Sequence, residues 1–292
     1  MLISVIIPVY NSESTIERAI FSIMSQDHKN YELILVDDGS VDGSYKLAER
    51  FSDKTSIKLI RMKINGGVNA ARNIGLNHIS EKSDYVTFLD SDDEFFPDAL
   101  SNIRKTIVGT SRQYKDYCFS VIDSDGVMNN KIPRDGFVGN CDDLLLKRVR
   151  GEWVHVIDSD LVRKGKFKYD ERVKNGFESL AYLDLQENNR CYYSYTVVRK
   201  YYIDNVSLTR GKPNTERIND IIKGYEIFLE RYGALLKDRF KSDYYKTLSM
   251  KMRCQLGIKS IDFMDIFKCI LKYPFELRFY QCLLLEFRNR IK

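Results

Sequence analysis

The sequence has no C-x-x-C pair, although it holds six cysteines, at positions 118, 141, 191, 254, 269 and 282. Their scatter speaks against a zinc site and against a disulfide framework, and it suits a reducing compartment. No stretch approaches the roughly 18 consecutive apolar residues of a membrane span. No basic segment precedes a long apolar run at the start, so no signal peptide is expected. A G-x-G-x-x-G after the first apolar run and a G-x-x-x-x-G-K-[ST] are both missing, and a dinucleotide oxidoreductase or a P-loop nucleotidase is expected to show one of them. Charge of one sign is also scarce. The formal net charge is only +5, and residues 251–292 alone carry nine Lys/Arg against four Asp/Glu, so the basic character is local to the tail. With no DNA- or RNA-binding motif present, nucleic acid is not an expected partner. Of the three histidines, His28 and His78 read as surface residues, and His155 reads as a satisfied structural histidine rather than a metal ligand.

What remains is an ordinary globular composition, 43% hydrophobic and 30% charged over 292 residues. That length suits one large domain, or one domain with an appendage. Residues 2–9 (LISVIIPV) form a nearly continuous apolar run, as expected of a central parallel strand covered on both faces. Pro8 is tolerable there only because the strand is ending. Tyr10-Asn11-Ser12 offers turn and N-cap chemistry, with Ser14 and Glu17 at capping-box spacing. Ile16, Ala19, Ile20 and Ile23 then mark an amphipathic helix. Further strands are predicted at 31–36, 57–61 and from Tyr85, with a short helix around 45–51. Strands alternating with helices at short intervals predict an α/β unit with a mainly parallel sheet flanked by helices.

Ligands bind such sheets outside the carboxyl ends of the strands. Three strand ends bring polar residues to that edge: Pro8-Val9-Tyr10-Asn11, Asp37-Asp38-Gly39-Ser40 and Asp90-Ser91-Asp92-Asp93. The last is the most telling, because five residues suited to a buried strand run straight into three carboxylates. Like charges so close repel unless a cation answers them. Oxygen ligands on a short turn suit Mg²⁺ or Mn²⁺, held together with a substrate's phosphates. The plainer reading is a polar turn whose Asp93 helps start the helix announced by Pro97. Together the edge offers an aromatic ring for a base, carboxylates for base and ribose, and an acidic metal turn for a diphosphate.

The run SVIIPVYN, the VDDGS turn, NGGVNAARNIGL and FLDSDD, in this order, resemble a family 2 glycosyltransferase of the GT-A fold, of bacterial surface-polysaccharide type. The resemblance is dense over residues 2–100 and weaker to about 210. It implies a Rossmann-like GT-A domain over 1–212, with a nucleotide-binding half (1–100) and an acceptor-side half (101–212), and a helical C-terminal region over 213–292. Carried over by residue, Pro8, Tyr10 and Glu13 would line the nucleotide pocket, with Tyr10 against the base. Asp38 would accept a hydrogen bond from the base, and Asn65 and Arg72 would close that end. Asp90 and Ser91 would meet ribose and diphosphate. Asp92, ending the Asp-x-Asp turn, would hold Mn²⁺ or Mg²⁺, while Asp93 would stabilise the turn.

The second half departs from the family pattern. Family members carry Glu-Asp, with the Asp as general base, where this chain reads Glu178-Ser179. A serine takes no proton at neutral pH without a base of its own, so Glu178 becomes the expected base, with Asp184 or loss of catalysis as alternatives. The usual arginine near Tyr202 is replaced by Ile203, leaving Arg210 or Lys212 to offer charge. Trp153 reads as either a sugar-stacking ring or a core residue. After Pro213 the pattern turns helical, and 267–292 is basic and amphipathic, suited either to packing on the domain or a second subunit or to an anionic membrane surface. The expectation is a metal-dependent, inverting hexosyltransferase-type enzyme using a UDP-sugar and a saccharide or lipid-linked glycan acceptor. It would be cytoplasmic, with peripheral membrane contact and homo-oligomerisation left open. An inert nucleotide-sugar-binding subunit is the alternative, ahead of a sugar nucleotidyltransferase.

Overall fold

The computed structural model describes residues 1–202 and 215–241, with residues 243, 244, 247, 248, 250, 251 and 254. The chain divides into two units, the first comprising 1–174 and 178–210, the second 175–177 and 211–292.

In the first unit, β1 (Ile3–Val9), α1 (Ile16–Met24), β2 (Tyr31–Asp37), α2 (Ser44–Glu49), β3 (Ile57–Arg61), α3 (Val68–Leu76) and β4 (Tyr85–Phe88) alternate as the sequence predicts. Then follow β5 (Glu94–Phe95), α4 (Ala99–Gly109), β6 (Asp116–Ile122), β7 (Phe137–Gly139) and α5 (Cys141–Leu145). The unit ends with β8 (Trp153–Asp158), α6 (Ser159–Arg163), α7 (Ser179–Asn188) and β9 (Cys191–Lys200). One sheet runs β3-β2-β1-β4-β8-β6-β9-β5, with β7 beside β9. The β3-β2-β1-β4 half is parallel, and β8 runs antiparallel to both β4 and β6. A mixed, mostly parallel sheet flanked by helices is therefore the architecture.

Strand alternation divides the core. Ile3, Val5, Ile7 and Val9 join a cluster with Ile16, Ala19, Ile20 and Ile23 of α1 and with α4. Ile6 faces the other side, with Ala71 of α3, Phe88, Tyr169 and Leu185. Pro8 is accommodated by register. Leu89 N donates to Ile6 O on the β4 side and Asp38 N donates to Val9 O on the β2 side. Pro8 thus turns toward β4, whose pairing with β1 has already stopped at Ile6↔Phe88, so its missing N–H costs no ladder bond.

Two local expectations are corrected. The capping box at Ser14 and Glu17 does not form: α1 begins at Ile16 with Thr15 at the N-cap and no side-chain cap, and Ser12 O accepts from Thr15 N and Ile16 N instead. Asp93 does not start a helix, because β5 intervenes, pairing Glu94 and Phe95 with Lys200 and Arg199 before α4 begins.

In the second unit, α8 (Thr215–Arg239) buries Gly224, Ile227, Tyr232 and Leu236. Phe177 meets Tyr225 edge-on, ring centroids 5.1 Å apart. Among the described residues no helix is long and apolar enough to cross a membrane. The basic stretch at 267–292, like Ile203, Arg210 and Lys212, lies outside the described residues.

Gly75 shows how closely α3 lies on β1: a Cβ there would stand 2.4 Å from Ile6 Cγ2. Overpacking costs about 1–3 kcal/mol, against a helix-propensity gain of at most about 1 kcal/mol for Gly→Ala. Gly75→Ala is expected to lose about 1 kcal/mol or more in urea unfolding. A gain in stability would mean that α3 does not lie this close to the sheet.

Candidate functional site

The polar strand ends meet at one edge of the sheet. β1 ends in Tyr10, 47% exposed, and in Asn11, whose left-handed backbone (φ 49°) turns the chain. Asn11 N donates to Ser40 Oγ at 3.0 Å, and Asn11 Oδ1 accepts from Val41 N at 3.0 Å, so the first strand end is tied to the second. Glu13 adds to that tie: Gly43 N donates to Glu13 Oε2 at 3.0 Å, and Glu13 N donates to Asp42 at 3.1 Å. Ser12 Oγ and Ser91 Oγ share a hydrogen bond of 2.7 Å, which joins the first strand end to the fourth.

Asp38 is buried, and each of its oxygens already has a donor: Gly66 N at 2.7 Å and Gly67 N at 2.8 Å. Burial raises its carboxyl above the usual range, against those two bonds. Asn65 Nδ2 donates to Asp38 O at 3.3 Å. Asp38 therefore holds the 65–67 loop beside the exposed face of Tyr10's strand end. Gly67 (φ 89°) is required there, since a Cβ would stand 2.5 Å from the Lys174 carbonyl oxygen.

Arg72 stands elsewhere than expected. It lies more than a turn into α3, only 7% exposed, and is not a helix-surface cation. Its Nη2 donates to Asp90 Oδ1 at 2.8 Å and its Nη1 to Glu178 Oε1 at 3.1 Å. Phe88 and Tyr169 flank the guanidinium. Two asparagines on α3 fix the chain leading to Glu178. Asn69 Nδ2 donates to Val173 O at 2.8 Å, while Asn73 bonds the Tyr169 backbone at both N (2.8 Å) and O (3.0 Å). The sequence NAARN holds this clamp as an i, i+4 pair, which its composition did not announce.

Sequence reasoning missed Arg199. It looked for an arginine at position 203, whereas β9 brings Arg199, 5% exposed, beneath the acidic turn. Arg199 lies 3.7 Å from Asp90 Oδ2 and 3.5 Å from Asp93 Oδ2, and it also pairs with Glu152. An arginine between Val198 and Lys200 at an inward strand position was the available signal.

The three carboxylates of the turn therefore differ. Burial works against ionisation of Asp90, yet Arg72 and Arg199 hold its carboxyl below the usual range. Asp93 is buried and accepts from Tyr202 N at 3.2 Å; burial pushes it up to about 8, with Arg199 opposing and Asp90 and Asp92 adding to the rise. Asp92 is exposed and has no ion pair among the described residues. Although the residue reaches the surface, partial desolvation of its carboxyl and the neighbouring Asp90 raise it, against Arg199 and Arg18. Arg18 spends its guanidinium on the Asp92 backbone carbonyl and on the Tyr202 ring, 3.7 Å away. A raised carboxylate with no ion pair among the described residues, beside other oxygen donors, fits a hard divalent cation.

Glu178 precedes α7 and keeps Oε2 without a partner among the described residues, since only Oε1 reaches Arg72. Trp153 belongs to a small core: its ring meets Tyr193 edge-on at 5.2 Å and its Nε1 donates to Arg150 O at 3.1 Å.

Residues 4–135 match the model of glycosyl transferase family 2. That stretch is 132 of the chain's 292 residues, and over it the chain is similar to that family. The minor teichoic acid biosynthesis protein GgaA of Bacillus subtilis is 44% identical over 107 residues, 35% of this chain and 24% of that protein. A Campylobacter jejuni protein named GalNAc(5)-diNAcBac-PP-undecaprenol beta-1,3-glucosyltransferase is 27% identical over 281 residues, 92% of this chain and 87% of that one. The chain spans only 24%, 15% and 39% of the length of three relatives that match about a third of it. Residues 1–349 of Staphylococcus aureus TarS, in a crystal structure with UDP-GlcNAc, share the fold at a TM-score of 0.66 and 17% identity, covering 87% of this chain and 81% of that one.

Asp93 gives the first unit a measurable pH signature. Its folded carboxyl titrates near 8, above the unfolded value of about 3.9. Its contribution to stability is then full below the unfolded value and is lost as pH rises through the folded one. Asp93→Asn is expected to flatten the fall in unfolding free energy between about pH 4 and 8. An unchanged slope would mean that Asp93 is ionised in the folded protein throughout.

Proposed function

We propose that the chain is a metal-dependent, inverting glycosyltransferase that moves a sugar from a UDP-sugar to a saccharide or lipid-linked glycan acceptor in surface polysaccharide synthesis. The observation that carries this reading is the bridge Asp90–Arg72–Glu178, which ties a donor-side carboxylate to one with a free oxygen. Asp92, with Asp90 beside it, would hold Mn²⁺ or Mg²⁺. Bound there, a divalent ion supplies the charge that a leaving diphosphate needs. Tyr10 gives the base an exposed ring, while Pro8, Glu13, Asp38 and Asn65 shape the loops around it. Ser91 stands at the ribose side, next to Ser12. Glu178, oriented through Oε1, offers Oε2 to the acceptor hydroxyl as general base, and attack from the face opposite the diphosphate inverts the anomeric centre.

Support for a UDP-sugar comes from the TarS complex with UDP-GlcNAc, and support for a wall or lipid-linked glycan acceptor from the names of the two relatives described above. The division into a transferase domain (1–212) and a helical appendage (213–292) belongs to the same proposal. So does work at the cytoplasmic face of the membrane, with the basic tail as the contact and a homo-oligomer compatible with it.

The test is donor binding by calorimetry and turnover by UDP release, with a panel of UDP-sugars and Mn²⁺. Asp92→Asn is expected to abolish the metal dependence of UDP binding. Glu178→Gln is expected to bind UDP-sugar as wild type does and to lose turnover by about 10²-fold or more. Wild-type turnover in Glu178→Gln would remove the base assignment. Donor binding without any turnover in the wild type would favour the inert-subunit reading.

A further inference from the structure

We propose that Asp116, Cys118, His155 and Cys191 form a zinc site, separate from the acidic turn, that anchors the helix following Glu178. The sheet register assembles it. Asp116 and Cys118 are two apart on β6 and share a face. The antiparallel β8 sets His155 opposite Cys118, and the parallel β9 sets Cys191 opposite Asp116. One carboxylate, one imidazole and two thiols are the donor types that zinc takes.

Their spacing suits a shared ion. His155 Nδ1 lies 3.0 and 3.1 Å from the Asp116 oxygens and 3.1 Å from Cys118 Sγ. Cys118 Sγ is 3.9 Å from Asp116 Oδ2 and 3.2 Å from Cys191 Sγ. With zinc bonds of about 2.0–2.3 Å, tetrahedral ligands stand roughly 3.3–3.8 Å from one another, so little movement separates Asp116, Cys118 and His155 from a coordination shell, and Cys191, beside Cys118, stands as the fourth donor. The sulfur separation is also far from the roughly 2.05 Å of a disulfide. All four residues are buried.

A supporting layer is present. Gln186 Nε2 donates to Asp116 Oδ2 at 3.0 Å and is itself fixed by Tyr193 OH at 2.9 Å. The Tyr182 ring stacks on His155 at 3.5 Å. Partners of this kind orient zinc ligands and are nearly as necessary as the ligands. Tyr182 and Gln186 lie four and eight residues after Glu178, on one face of α7. Glu178 at the N-cap of α7 is thus tied to Arg72, and the helix that follows it to the cluster. The sequence hid the site because its donors sit on three strands, 39 residues or fewer from one another in β6 and β8 but far on in β9.

The rival is a metal-free cluster, with an imidazolium–carboxylate pair and two neutral thiols. The full chain, purified without a metal-affinity column, is expected to contain about one zinc per chain by plasma mass spectrometry. Refolding with Co²⁺ in place of zinc is expected to give thiolate-to-cobalt charge-transfer absorption, which the oxygen ligands of the acidic turn cannot produce. Cys118→Ser and His155→Gln should lose the metal, while Asp92→Asn should keep it. If those two variants fail to fold, the wild-type metal content and cobalt spectrum decide alone. A wild type with no bound zinc and no thiolate–cobalt bands, or with Cys118 and Cys191 joined as a disulfide, overturns the proposal.

Discussion

The buried guanidinium of Arg72 is the constraint on which the site depends. It lies under the carboxyl end of β4 and takes Asp90 with one nitrogen and Glu178 with another. A buried cation must be answered by anions, and removing one partner of such a pair costs on the order of 3–5 kcal/mol. Here the answering carboxylates come from sequence positions almost 90 residues apart, so the electrostatic requirement of one side chain brings the acidic turn and the start of α7 together. Lysine could supply the charge but not the planar fork that reaches two carboxylates at once.

Arg199 does for the underside of the turn what Arg72 does for its flank. Between them the two arginines leave the three carboxylates in different states. Asp90 is held ionised by both, Asp93 is buried with its proton, and Asp92 is left at the surface with a raised carboxyl and no ion pair among the described residues. The acidic turn is therefore three different groups, which its order along the chain does not distinguish.

The first hundred residues were legible because their signals are local. An apolar run, a helical stripe and a polar strand end each predict one element, and the alternation predicts the sheet. That Tyr10, Asp38 and Asp92 stand at strand ends could also be read. What escaped is set by register between distant segments. Arg199 is one residue of a strand whose inward face only the pairing with β5 and β6 reveals. The Asn69 and Asn73 clamp on residues 169–173 requires the chain to return after about a hundred residues. Arg72 was visible, but its partners were not, since nothing near it in sequence says that Glu178 will arrive. Asp93 was misread for a related reason: the two-residue strand that follows it exists only through its pairing with β9.

The most direct measurement is calorimetric titration of UDP with Mn²⁺ into Arg72→Lys, with circular dichroism confirming that the variant is folded. If the fork of Arg72 organises the site, the lysine variant keeps the fold and loses metal-dependent UDP binding by about tenfold or more, the cost of one charge-assisted bond. A folded Arg72→Lys protein that binds UDP and turns over like the wild type would contradict that role.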